Sequence, residues 1–227
     1  MTVAWLAVRE LWISYRLMLV VGGFVASGAV VALLPAPPDA EVDRLAIGFA
    51  ASTAIAGVVS AWSLSTERHR RRAAWLVGRG VPRASIVMSW FAAVGVAALL
   101  GLLPSAALAW PVIVPAAPSE EAAYVAAIAA IGGGVLSAVA VGQVAGAGLP
   151  PVVAVVATLL ACGAAATASW IIPDVAAYVP GAGLVLLADL GNVARPVARG
   201  LAGTGMALGV AGALLVLAAA IFERVDL

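Results

Sequence analysis

The sequence predicts an all-α, polytopic membrane protein. It reads as one transmembrane domain over residues 1–227, with six spanning helices, an N-terminal interfacial helix, a short cytoplasmic helix and a short re-entrant extracytoplasmic segment. Three observations predict this. Apolar residues make up 64% of the chain and charged residues 10%, with a mean hydropathy of +1.13; a soluble domain has about 45–50% and about 25%. The apolar residues fall into six runs of membrane-crossing length. Six of the twelve cationic side chains crowd into one stretch, "TERHRRRAAWLVGRGVPRAS". A chain this apolar cannot cover its own surface in water, so its solvent is lipid.

Each span is an apolar run of roughly 20 residues, the length that crosses a hydrocarbon layer of about 30 Å. The runs are residues 17–34, 45–64, 86–103, 122–141, 151–172 and 201–222. Turn and charge signals separate them: "PAPPDAEVDR" after the first, "PAAPSEE" before the fourth, "GAGLPP" between the fourth and fifth. The first run is too long for a leader h-region and lacks a small-x-small site before its prolines, so it reads as a span.

The arginines orient the chain. With both termini cytoplasmic, Arg9, Arg16, Arg68, Arg70, Arg71, Arg72, Arg79, Arg83 and Arg224 lie inside, and Arg44, Arg195 and Arg199 outside. That asymmetry follows the positive-inside rule and places the protein in the cell membrane. The outer loops are acidic instead: Asp39, Glu41, Asp43, Glu120, Glu121, Asp174 and Asp189.

Absent residue types exclude several function classes. All twelve cations are arginine, so no phosphate-binding loop with its lysine exists here. Neither H-E-x-x-H nor G-x-S-x-G occurs. His69 sits alone among arginines as a loop residue, and Cys162 sits alone in a span as a small packing residue. No catalytic, cofactor-binding or metal-ligating residue is expected, and no nucleic-acid partner. The six runs hold no Asp, Glu, Arg or His, which disfavours an ion-coupled carrier. The walls offer only Ser, Thr and Gln143 as polar groups, so a transported molecule would be hydrophobic or amphipathic.

The arginine stretch predicts a short helix over about residues 70–77, stopped by Gly80 and Pro82. Trp75, Leu76 and Val77 give it an apolar patch, and the arginines a basic face. Such a helix can lie on anionic headgroups, or present Trp75 and Leu76 to a soluble partner with arginines as rim charges. Before the first span, "WLAVRELWISYR" places Trp5, Val8, Trp12 and Tyr15 on one helical face, with Arg9 and Arg16 beside it. This fits an interfacial helix; an inward extension of the first span stays open. The stretch over residues 173–200 contains an apolar part, 182–188, too short to cross, and a break at Pro180 and Gly181. Gly142/Gly146 and Gly205/Gly209 have G-x-x-x-G spacing, read as packing within the chain ahead of a dimer face.

The order "ER-x-R-x-x-x-x-W-L-V-x-R-G-V-P-R-x-x-I-V" resembles the cytoplasmic coupling segment of ABC-2-type transporter permeases. Glu67, Leu76, Val81 and Arg83 match that segment's acidic start, paired aliphatics, turn valine and turn arginine. Arg71, Gly80 and Trp90 depart from its usual glycine, proline and lysine. The same stretch is similar to one in FtsX-like and MacB-like permeases, which have four spans and a large outer domain; six spans favour the ABC-2 type. The resemblance implies a permease subunit of an ABC exporter that binds no nucleotide itself. ATP and Mg²⁺ would sit on a separate ATPase, in two copies. That ATPase would dock on Glu67, Arg70, Arg71, Arg72, Trp75, Leu76, Arg79 and Arg83, and a second permease subunit would complete the pathway. It also implies an interfacial helix bearing Trp5, Arg9, Trp12 and Arg16, and an outer gate with Tyr178, Pro180 and Asp189. The alternative is a non-transporting scaffold or regulator whose arginine loop binds lipid or a cytosolic protein.

Overall fold

The computed structural model describes residues 3–34, 37–70, 72–114, 118–171, 181–189 and 195–225. Their helices, in chain order, are α1 (Val3–Ile13), α2 (Arg16–Leu33), α3 (Pro38–His69), α4 (Arg72–Gly78), α5 (Arg83–Ile113), α6 (Pro118–Gly148), α7 (Pro151–Ile171), α8 (Ala182–Ala188) and α9 (Pro196–Arg224). No strand occurs among the described residues. Six helices, α2, α3, α5, α6, α7 and α9, are long and apolar enough to cross a membrane.

Several helices overrun the apolar stretches that predict them. α3 has 32 residues, α5 and α6 have 31 each, and α9 has 29. The acidic stretch around Asp43 is not a loop but the first turns of α3, which starts with Pro38; a first-turn proline lacks only an amide the helix would not use. α5 runs on through Pro104 and Pro111. Each proline removes one backbone hydrogen bond, and neighbouring helices make this tolerable in a membrane bundle. Between the two prolines, α6 is pinned to α5 where the Tyr124 hydroxyl donates to the Ala106 carbonyl at 2.8 Å and its ring meets Trp110 edge-on at 5.4 Å.

At the N-terminus, Tyr15 takes a left-handed backbone (φ 59°) and breaks the chain between α1 and α2. The N-terminal stretch is therefore a helix of its own and not an inward extension of the first span. It buries Ala7 and Leu11 and exposes Trp5, Val8, Trp12 and Tyr15.

α6 is the centre of the bundle. Its most apolar 18-residue stretch is 78% buried, against 17% for α7. Six glycines and many alanines spread around it, so neighbours approach from all sides. α9 and α3 lie along it, α2 pairs with α5, and α7 leans mainly on α3. The two G-x-x-x-G pairs divide. A Cβ on Gly146 would lie 2.6 Å from the Ala61 carbonyl, and one on Gly142 would fall on the Gly57 carbonyl, so this pair seats α6 against α3. Gly205 and Gly209 meet nothing within 4 Å, so they take no part in packing the chain.

Candidate functional site at the arginine-rich end

The end of the bundle that carries the arginine stretch gathers α1, α4, the start of α2 and the last turn of α3. Glu10 of α1 is the acid at its centre. Arg72 meets it at 2.8 Å and Arg70 at 4.0 Å. Arg72 also reaches Glu67, in the last turn of α3, at 3.5 Å. The Glu67 side chain is only 4% exposed. The Arg72–Glu10 hydrogen bond holds the Arg72 guanidinium above its ordinary pKa. Both partners are partly exposed, so the pair contributes about 1 kcal/mol or less; its consequence is positional, clasping α1 to α4. Arg16 donates to the Ser63 hydroxyl at 3.1 Å and lies over the Trp62 ring at 5.8 Å. Arg9 lies over Trp5 at 5.6 Å.

α4 is a seven-residue helix with two unlike faces. Ala73 and Leu76 are buried in the bundle, whereas Trp75 is 53% exposed. The guanidinium of Arg79 lies 3.9 Å from the centre of the Trp75 ring. The expectation of a shared Trp75–Leu76 outer patch is therefore corrected: neighbours on a helix point about 100° apart, so the turn that buries Leu76 in the core leaves Trp75 outside. The helix ends in a Schellman turn. The Val81 amide donates to the Leu76 carbonyl at 3.2 Å and the Gly80 amide to that of Val77 at 2.9 Å. Gly80 has φ +82°, a conformation closed to proline.

Two arginines of the stretch cap helices. Arg68 donates to the carbonyls of Ala147 and Leu149 at 2.6 and 2.9 Å, at the end of α6, and Ser65 adds a bond to Leu149 at 2.8 Å. Arg83 donates to the carbonyls of Phe222, Glu223 and Val225, at the end of α9. Cations suit the negative end of a helix dipole and its four unpaired carbonyls. Arg83 is thereby committed to the bundle itself. His69 is exposed in the last turn of α3, its Nδ1 2.9 Å from the Ser65 carbonyl.

Of the residues expected to form the docking surface, the structure brings Glu67, Arg70 and Arg72 together with Glu10 and sets Trp75 with Arg79 on the outer side of α4. Arg71 lies outside the described residues. So do Tyr178 and Pro180; Asp189 caps the far end of α8 and is exposed. Sequence reasoning missed Glu10, Ser63 and the capping role of Arg68. Glu10 had a signal: it is the first 38 residues' one acid, in a segment facing an arginine loop. No cluster of three or more potential metal ligands occurs among the described residues.

The six membrane-length helices make this chain a multi-pass, all-helical membrane protein. No known protein family, curated protein or solved structure matches it.

Proposed function

We propose that this chain is the membrane-spanning permease subunit of an ATP-binding cassette exporter. A separate ATPase, in two copies, docks on the outer side of α4, and a second permease subunit completes the pathway. The observation that carries the reading is Trp75. A topology signal needs charge but no shape. Here a large apolar ring is held outward on a helix whose inner face is locked by Leu76, whose end is fixed by the Gly80 turn, and whose start is clasped to α1. An exposed tryptophan beside arginines has the make-up of an interface anchor with a charged rim. In this reading both termini are cytoplasmic, and α1 lies in the membrane interface with Trp5 and Trp12 toward lipid. α8 belongs to a re-entrant outer segment, and the substrate is hydrophobic or amphipathic. The same tryptophan and arginines would also suit anionic headgroups, which is the scaffold or regulator reading.

Trp75→Ala is expected to weaken ATPase docking about thirtyfold or more, as for loss of an anchor of about 2 kcal/mol, without unfolding the chain. Leu76→Ala should instead lower stability, because Leu76 is buried. Native mass spectrometry of the complex reports the ATPase and the permease copy number for each variant. A complex without ATPase in the unaltered protein, together with binding to anionic vesicles that Trp75→Ala abolishes, would establish the scaffold reading instead; ATPase retained in the variant would put the docking site elsewhere. For orientation, Asp43→Cys and Arg224→Cys are placed in a Cys162→Ser background; both positions are exposed, whereas Glu41 is buried. An impermeant thiol reagent on intact cells should label position 43 and not 224; the reverse pattern inverts the topology.

A further inference from the structure

A cavity of about 350 Å³ lies between α3, α6, α7 and α8. It lies where α7 leaves its neighbours between two sets of contacts. In the first half of α7, Ala154 packs with Ala61 and Ala145, and a Cβ on Gly57 of α3 would lie 3.1 Å from the Thr158 methyl; in its last turn, Gly181 closes on Ser169. Between these contacts the facing residues of α7, including Ala161, Cys162 and Ala166, are too small to fill the gap.

The walls and the depth select the occupant. Thr53 and Ala54 stand at the midpoint of α3, Cys162 at that of α7, and Ser137 near that of α6. At this depth only hydrocarbon adjoins the protein. No charged side chain lines the cavity. The Ser137 hydroxyl is already spent on the carbonyls of Ala207 at 2.7 Å and Gly133 at 3.2 Å. Thr53 and Ser137 leave at most two hydroxyls for a ligand, so a charged or strongly polar group placed here would lack most of its partners, at a cost of kilocalories, whereas a hydrocarbon chain would not. The clefts at the other end of the bundle differ: each has a charged residue at its wall, Arg44 in one and Glu121 in the other.

We propose that this cavity is a binding site for one acyl chain of a bilayer lipid, which enters from the membrane beside α7 while its headgroup stays at the surface. The site stands on the cavity's depth and walls and does not depend on the exporter reading. It is held by dispersion contacts alone, so its occupancy follows the volume left between α3 and α7.

The test uses the full chain in nanodiscs of phosphatidylcholine carrying a photoreactive diazirine at the end of one acyl chain. After irradiation, mass spectrometry should find adducts on Cys162 and Leu184, as well as on the lipid-facing Leu160. Ala54→Phe, which fills the cavity, should lower the Cys162 and Leu184 adducts about tenfold, as for displacement of two buried methylenes, and leave Leu160 unchanged. Ala166→Leu serves the same end where the larger ring prevents folding. Adducts at Cys162 that are absent, or equal in filled and unfilled proteins, overturn the site. A parallel arm uses a diazirine fatty acid in unlabelled lipid; adducts in that arm alone would overturn the bilayer lipid as the source.

Discussion

Gly142→Ala is expected to destabilise the bundle by about 1–3 kcal/mol, the usual cost of forcing extra volume into a packed core. The methyl would fall on the Gly57 carbonyl, with the Ser60 Cβ at 2.9 Å and the Ala61 nitrogen at 3.0 Å. Backbone atoms cannot rotate aside, so α3 and α6 must separate. That separation also strains a buried polar chain at the same level. Gln143 is fully buried, its Nε2 donates to the Ser60 hydroxyl at 2.7 Å, and that hydroxyl donates to the Val139 carbonyl at 2.8 Å. Losing these bonds in an apolar setting adds to the cost. The control is Gly205→Ala, which meets nothing within 4 Å and carries the same change in helix propensity. Thermal unfolding in detergent, followed by tryptophan fluorescence, should drop for position 142 and hold or rise for 205. Equal drops would mean that helix propensity, and not close packing, governs both.

Arg68→Ala is expected to cost about 2–4 kcal/mol, since hydrogen bonds from charged donors are worth about 1.5–3 kcal/mol each and the side chain is partly solvated. It should loosen the turn between α6 and α7 first. The Arg68 fork reaches two carbonyls at once, Ala147 and Leu149. Lysine offers a point charge without the fork, so Arg68→Lys should recover only part of the loss. Hydrogen exchange localises the effect: amides of residues 145–155 should exchange faster in both variants, more so in the alanine one. Unchanged exchange there would show that the cap is dispensable. The prediction separates Arg68 from Trp75, whose replacement should leave this turn untouched.

The spans were legible because the membrane imposes a length and a composition that any 20-residue window reveals. Their ends were not, because charge and proline mark where lipid stops and not where hydrogen bonding stops. α3 therefore continues through Asp43 and Glu67, and α5 through Pro104 and Pro111. The short helix of the arginine loop was legible from Gly80 and Pro82. Its two faces were not, since Trp75 and Leu76 are both large and apolar and only the docking of α4 on the core, which buries Leu76, separates them.

Sequence by itself determined the helical class, the number of membrane-length helices and the crowding of six of the twelve arginines into one stretch, because each rests on local composition. Tertiary structure alone decided what those arginines do. Arg68 and Arg83 cap the ends of α6 and α9, roughly 80 and 140 positions away along the chain, while Arg72 clasps Glu10 of α1. Tertiary structure also told the two G-x-x-x-G pairs apart, packing Gly142 and Gly146 against α3 and leaving Gly205 and Gly209 free. The physical reason is common to both. A cation at a helix end or a glycine on a helix face carries the same local signature wherever it points, and only the neighbour's carbonyl determines its role.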